Sequence, residues 1–205
     1  MRLMHPRVLI GCLAAAALAG CHTLAQQPTP LAAVSALPSG AAQVIYLGGD
    51  IVTLNDAQPS AQALAIRDGK ILAVGPQAEI EQNHQAAHTQ VVNLGGKTLM
   101  PSFIDAHSHL GMVCSSIGFE GEDGNEVTDP VTPNIRGIDG CNPMDETIKE
   151  SLKSGVTTVA AGPGSANVIG GTFFAYKTAG HCIDEMTIQN PLAMKAAFGE
   201  NPKRC

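Results

Sequence analysis

The run Pro101-Ser102-Phe103-Ile104-Asp105-Ala106-His107-Ser108-His109 places a carboxylate and two imidazoles two residues apart, at the end of a short apolar stretch. Side chains alternate across a β-strand with period 2, so a regular strand turns Asp105, His107 and His109 to one face. Two imidazoles on one face can grip a single divalent metal ion. A neighbouring carboxylate can orient one ring from behind. The residues therefore predict His107 and His109 as metal ligands, with Asp105 in support. A third ligand is sought in Met194-Lys195-Ala196-Ala197-Phe198-Gly199-Glu200-Asn201-Pro202-Lys203-Arg204. Glu200 offers a carboxylate, and Lys195 offers a carbamate as the alternative. Lying five residues apart, they face opposite ways on one strand, so only one can point at the metal. Glu200 is preferred because it lies at the C-terminal end of the run, where barrel active sites sit.

The loop Gly162-Pro163-Gly164-Ser165-Ala166-Asn167-Val168-Ile169-Gly170-Gly171 can present backbone N–H groups to an anion or a carbonyl. It lacks the Gly-Lys-Ser/Thr of a P-loop and the GxGxxG of a dinucleotide site. Gly164, Ser165 and Asn167 are the substrate-loop candidates, and a tight structural turn is the equal alternative. The acidic stretch with Glu120, Glu122, Asp123, Glu126 and Asp129 reads as a solvated face. His84 and His88 read as surface residues.

These side chains need a scaffold, and the punctuation of the chain predicts one. Val44 to Leu47 and Ile51 to Leu54 read as two strands around a Gly48-Gly49-Asp50 turn. Asp68-Gly69 between two apolar runs predicts a type I′ hairpin. Val91 to Leu94 and Lys97 to Met100 flank Gly95-Gly96. Residues 43–100 are therefore expected to form a small antiparallel β unit. Beyond Pro101, residues 101–205 read as strand–helix alternation with parallel strands. Phe103 to Leu110 is the first strand, and Asn142-Pro143 opens a helix that Gly155 closes. Val156 to Ala161 is a buried strand, and Phe173 to Thr178 reads as a short helix. Met186 to Ile188 and Leu192 to Phe198 are further strand candidates.

Ahead of these lie a targeting segment and a tether. Arg2 and Arg7 precede an apolar stretch too short to span a bilayer, ending in Leu18-Ala19-Gly20-Cys21. This resembles the bacterial lipobox, which implies cleavage of residues 1–21 and acylation of Cys21. With His22 following, it implies a lipid anchor on the periplasmic side of the outer membrane. Residues 22–42, rich in Gln, Pro, Thr and Ala, read as a flexible linker. The 205 residues carry 44% hydrophobic and 3% aromatic residues, so aliphatic side chains must build the core. A formal charge of −6 without a basic stripe argues against nucleic acid as a partner. Cys114, Cys141, Cys182 and Cys205 have no CxxC spacing, and their pairing stays open.

Taken together, Ile66-Arg67-Asp68-Gly69-Lys70-Ile71, the Pro-x-Phe-Ile-Asp-x-His-x-His run, Gly155-Val156-Thr157-Thr158-Val159, the Gly162 loop and Gly199-Glu200-Asn201-Pro202-Lys203-Arg204 resemble the metal-dependent amidohydrolases, near the imidazolonepropionase-like branch. The resemblance implies a (β/α)₈ barrel with a β-sandwich. It implies hydrolysis of C–N bonds in cyclic amides or N-acyl groups of a small-molecule substrate. One or two divalent ions, zinc foremost, would activate the water. Deacetylation of N-acetyl sugars and cleavage of aminoacyl dipeptides are rival activities, and a catalytically inactive lipoprotein is the rival of another class. Ser102 stands where the family usually has Gly. A barrel of this kind needs about 250 residues, and 101–205 has room for about four strands. The expected fold is thus α/β: the N-terminal half of a TIM-like barrel behind a β-sandwich segment. Its later ligands and catalytic base have no counterpart, and its expected partner is the missing C-terminal half or a second copy.

Overall fold

The computed structural model describes residues 38–114 and 118–204. The expected signal segment, the lipidation at Cys21, the tether up to Leu37 and Cys205 lie outside the described residues. The described chain is mixed α/β, with two four-stranded sheets and short helices. Among the described residues, no helix is long and apolar enough to cross a membrane.

The first sheet contains β1 (Val44–Val52), β2 (Ser60–Arg67), β3 (Lys70–Gly75) and β4 (Gln90–Asn93), in the order β3-β2-β1-β4. The β2–β3 hairpin turns at Asp68 and Gly69, both at positive φ (51° and 70°), as a type I′ turn demands. Two expectations need correction. Val44 to Leu54 is not two strands, because Gly48 at φ 76° absorbs an irregularity between Leu47 and Ile51 within the single strand β1. The unit is also not wholly antiparallel. Helix α1 (Gln77–His84) carries the chain across, so β4 pairs parallel to β1. Ile45, Leu47, Ala63, Ala65 and Ile80 form its core.

The second sheet contains β5 (Phe103–Ser108), β6 (Val156–Ala161), β7 (Ile169–Lys177) and β8 (Thr187–Ala196), in that order. Helix α2 (Glu146–Lys153) precedes β6, and a short helix α3 (Ile183–Met186) leads into β8. Asp145 rather than Asn142 caps α2, its side chain accepting from the Thr147 N–H, and Gly155 at φ 91° closes the following turn. Among the named strands of this sheet, the parallel pairing expected throughout occurs between β5 and β6 and not beyond. Phe173 to Thr178 is not a helix, since Phe173 to Lys177 belong to β7, which runs antiparallel to β6 and to β8. The reason is visible in the residues. Strand β7 pairs on both sides, and all but three of its nine residues are buried. Burial of an apolar run on both faces outweighs any local helical preference.

Residues alternate cleanly along β7. Phe174 and Tyr176 stack at 5.2 Å and enter the core with Ile148, Val159, Ala161 and Met186. The Tyr176 hydroxyl donates to the Leu110 carbonyl at 3.0 Å, tying this core to the turn that follows His109. Burial pushes the Tyr176 phenol well above its ordinary range, so it stays a neutral donor. Phe173 faces the opposite side of the sheet.

Candidate metal centre

His107 leaves the sheet in an unexpected direction. Asp105 pairs with Val159 and Ser108 with Ala161, and both partners belong to the main core. Asp105 and Ser108 are three positions apart where their partners are two apart, so β5 carries a bulge between them. Ala106 and His107 are thereby turned to the other side, where they line a cavity of about 240 Å³ with Ala160, Phe173 and Lys195. The expectation that Asp105 and His107 share a face is therefore corrected. Asp105 Oδ1 instead accepts from the His107 backbone N–H at 3.1 Å. The carboxylate satisfies the amide that the bulge takes out of the ladder, and no described hydrogen bond joins it to either ring.

His109 lies one residue past the end of β5. Its Nδ1 is 2.7 Å from the Gly162 carbonyl oxygen. A carbonyl only accepts, so Nδ1 is the donor, and in the neutral tautomer this leaves the lone pair on Nε2. This is the arrangement in which a backbone oxygen fixes the tautomer of a metal-binding imidazole. Gly162 is required there by space, because a Cβ would run into the Phe173 ring.

The two imidazole centroids are 5.7 Å apart with planes at 89°. Lys195, on β8, completes the group. Only 7% exposed, its Nζ sits 3.3 Å from His107 Nε2 and 5.8 Å from the centre of the Phe173 ring. Its stem packs against Gly170, where a Cβ would stand 3.5 Å from Lys195 Cγ. Desolvation lowers the Lys195 pKa and so favours the neutral amine. Glu200 does not join the histidines. It is ion-paired with Lys203 at 2.7 Å, and its side chain is 86% exposed. Among the described residues, no three His, Cys, Asp or Glu side chains converge on one point. The convergent set is His107, His109 and Lys195. Its donor chemistry fits a divalent ion if the amine is converted to a carbamate, because two nitrogens and an anionic oxygen suit zinc.

The Gly-rich loop holds the neighbouring segment. The Gly164 N–H donates to the Gly124 carbonyl at 2.6 Å. Fully buried Asn167 donates from Nδ2 to the carbonyls of Glu126 (3.0 Å) and Asp129 (2.8 Å). Ser165 borders a cavity of about 190 Å³ with Asn125, Ala166 and Asn201. Asp129 and Glu126 also brace their own loop, with Glu126 accepting from the Thr128 hydroxyl at 2.6 Å. That hydroxyl, with two backbone N–H donors, holds the exposed Glu126 carboxyl below the usual range. Sequence reasoning missed Phe173, which touches all three site residues. A Phe in an apolar run carries no signal of which face it serves until the strands are paired.

No family model matches the chain. The crystal structure of an amidohydrolase from Thermotoga maritima superposes with a TM-score of 0.69 at 36% identity, over 78% of this chain and 40% of that one. The amidohydrolase tasK of Hapsidospora irregularis is 40% identical over 121 residues, 53% of this chain and 12% of that protein. An imidazolonepropionase of Solibacter usitatus is 49% identical over 47 residues, 23% of this chain and 11% of that protein. The chain thus spans less than half the length of each of these relatives.

Proposed function

The chain belongs to the amidohydrolase superfamily, and from that premise we propose a metal-dependent hydrolase of small-molecule C–N bonds in which His107, His109 and Lys195 hold a divalent ion. The observation that carries this reading is the convergence of Lys195 Nζ on His107 Nε2 at 3.3 Å, beside a His109 whose Nδ1 is held by the Gly162 carbonyl. Bound there, a divalent ion supplies a water with a pKa lowered to about 7 and a Lewis acid for a carbonyl. The protein's own residues prepare the site. The Gly162 carbonyl holds the His109 tautomer, and the β5 bulge aims His107. Burial of Lys195 favours the neutral amine, the form that attacks carbon dioxide. In that step the amine nitrogen bonds the CO₂ carbon, one C–O π bond gives its electrons to oxygen and one N–H proton leaves to solvent, so an anionic carbamate replaces the neutral amine. Lys195 is preferred to Glu200 because it is buried against His107, whereas Glu200 is spent on Lys203. Cyclic amides and N-acyl groups remain the proposed substrates, with zinc the proposed ion. Attachment to the outer membrane through Cys21, and a barrel around the β5–β6 pair, are proposals of the same standing.

The test is metal content and affinity, measured with zinc and bicarbonate present. Wild-type protein should retain about one or more equivalents of zinc, and His107→Ala with His109→Ala should abolish retention. Lys195→Met should weaken it, and ¹³C-bicarbonate should label a lysine carbamate by NMR in wild type alone. Equal zinc retention in wild type and in the double histidine variant would refute the reading.

A further inference from the structure

We propose that Phe173 is the positioning residue of the site, the one ring that sets His107, His109 and Lys195 relative to one another; this rests on the reading of the three as a ligand set. They reach the site from the bulge of β5, the turn beyond it and the end of β8. Only one direct contact, Lys195 to His107, joins them among the described hydrogen bonds. The two imidazoles also meet edge-on, with centroids 5.7 Å apart, and Phe173 is the residue in contact with all three. Its ring meets His107 edge-on, with centroids 5.2 Å apart and planes at 82°. It meets His109 at 6.5 Å and 62°, and the Lys195 Nζ stands 5.8 Å from its centre.

The ring is itself held firmly. It is 6% exposed, sits on β7 opposite Ala193 of β8, and lies against Gly162 so closely that any Cβ there would collide with it. Gly162 is also the residue whose carbonyl fixes His109. One ring therefore links the His109 acceptor, the face of His107 and the apolar wall that desolvates the lysine. It stands apart from the main core, which Phe174 and Tyr176 enter from the other side of the same strand. Edge-to-face packing is directional, so an aliphatic side chain of similar bulk fills the space without fixing ring angles. The hydrogen-bonded partner behind a metal ligand, here the Gly162 carbonyl that Phe173 packs beside, typically contributes about 10–100-fold to affinity.

The experiment compares wild type with Phe173→Leu, Phe173→Tyr and Phe173→Met, reading both metal-free and cobalt-loaded protein. In metal-free protein, ¹⁵N NMR of the imidazoles should show a protected His109 Nδ1–H in wild type and in the Tyr variant. That signal should be lost, and the His107 ring nitrogens should shift, in the Leu and Met variants. Cobalt titration should give about tenfold or greater weakening in Leu and Met, with an altered visible d–d spectrum. The Tyr variant should stay close to wild type in both. Ile45→Val, in the core of the first sheet, serves as a control for stability alone and should move neither readout. Wild-type imidazole signals in Phe173→Leu, or in Phe173→Met should the Leu variant fail to fold, would overturn the proposal. The metal-free spectra decide it even if wild type binds no cobalt, an outcome that would sink the metal reading by itself.

Discussion

Lys195 is a cation-forming residue placed where a cation is unwelcome. Its pKa is lowered by desolvation, so the folded state binds the proton less readily than the unfolded chain does. The sign follows from proton counting. At pH above the unfolded lysine value of about 10.4, neither state is protonated and the penalty vanishes. As the pH falls through that value toward the lowered folded pKa, the unfolded state gains protons first and stability declines. Urea unfolding should therefore show wild type gaining stability relative to Lys195→Met between pH 8 and pH 10. A flat difference would show that burial does not govern this amine. The cysteines give a second prediction at this scale. Burial pushes the Cys141 thiol up to about 12 and raises Cys114 as well, whereas Cys182 is exposed. Thiolate is the reactive form, so maleimide at pH 8 should label Cys182 in native protein and reach Cys114 and Cys141 only in denaturant. Peptide mapping by mass spectrometry reads the outcome.

Strand β7 and the turn after β6 together make the site's floor. Gly162→Ala places a methyl inside the Phe173 ring, so ring or backbone must shift. Overpacking of this kind costs about 1–3 kcal/mol, and it should also release the His109 contact. Thermal unfolding should show the loss, together with loss of the His109 Nδ1–H signal. A variant that keeps both would mean the ring can move aside. On α2, Asp145 is 2% exposed and its Oδ1 accepts from the Thr147 N–H at 3.0 Å. Asp145→Ala should cost about 1 kcal/mol as a lost cap, and Asp145→Asn much less. Denaturant midpoints of the two variants test that order. Element by element, the features legible in the sequence are those set by local chemistry. Asp68-Gly69 makes its turn because both residues take positive φ, and Gly155 ends its helix region for the same reason. The β7 strand and the α1 crossover were not legible, because a short apolar or polar run looks alike in several settings until a partner strand selects one.

Across the whole molecule, apolar side chains remain in view on the second sheet and beside it. Phe103 (58%), Ile104 (71%), Ile188 (56%) and Phe198 (86%) are exposed. Strands β5 and β8 are the edges of that sheet and offer unpaired backbone groups. The 205-residue chain should therefore self-associate with rising concentration. Light scattering coupled to gel filtration should show a mass that grows with loading, reduced by Ile104→Lys and Phe198→Lys together. A constant monomer mass would remove this expectation. The candidate site lies between these edges, spread over β5, β7 and β8, so its geometry depends on pairing that spans 88 residues of sequence between His107 and Lys195. Residue types and local spacing alone determined the histidine pair and the hairpin of the first sheet, since each rests on chemistry within a few residues, and the family was legible as a resemblance of short motifs. The tertiary structure alone decided that a bulge turns His107 away from Asp105, that Lys195 and not Glu200 meets it, and that Phe173 lies beneath them. Those outcomes depend on which strands pair and in what register, and a period-2 reading assumes an unbroken ladder that the folded sheet does not have.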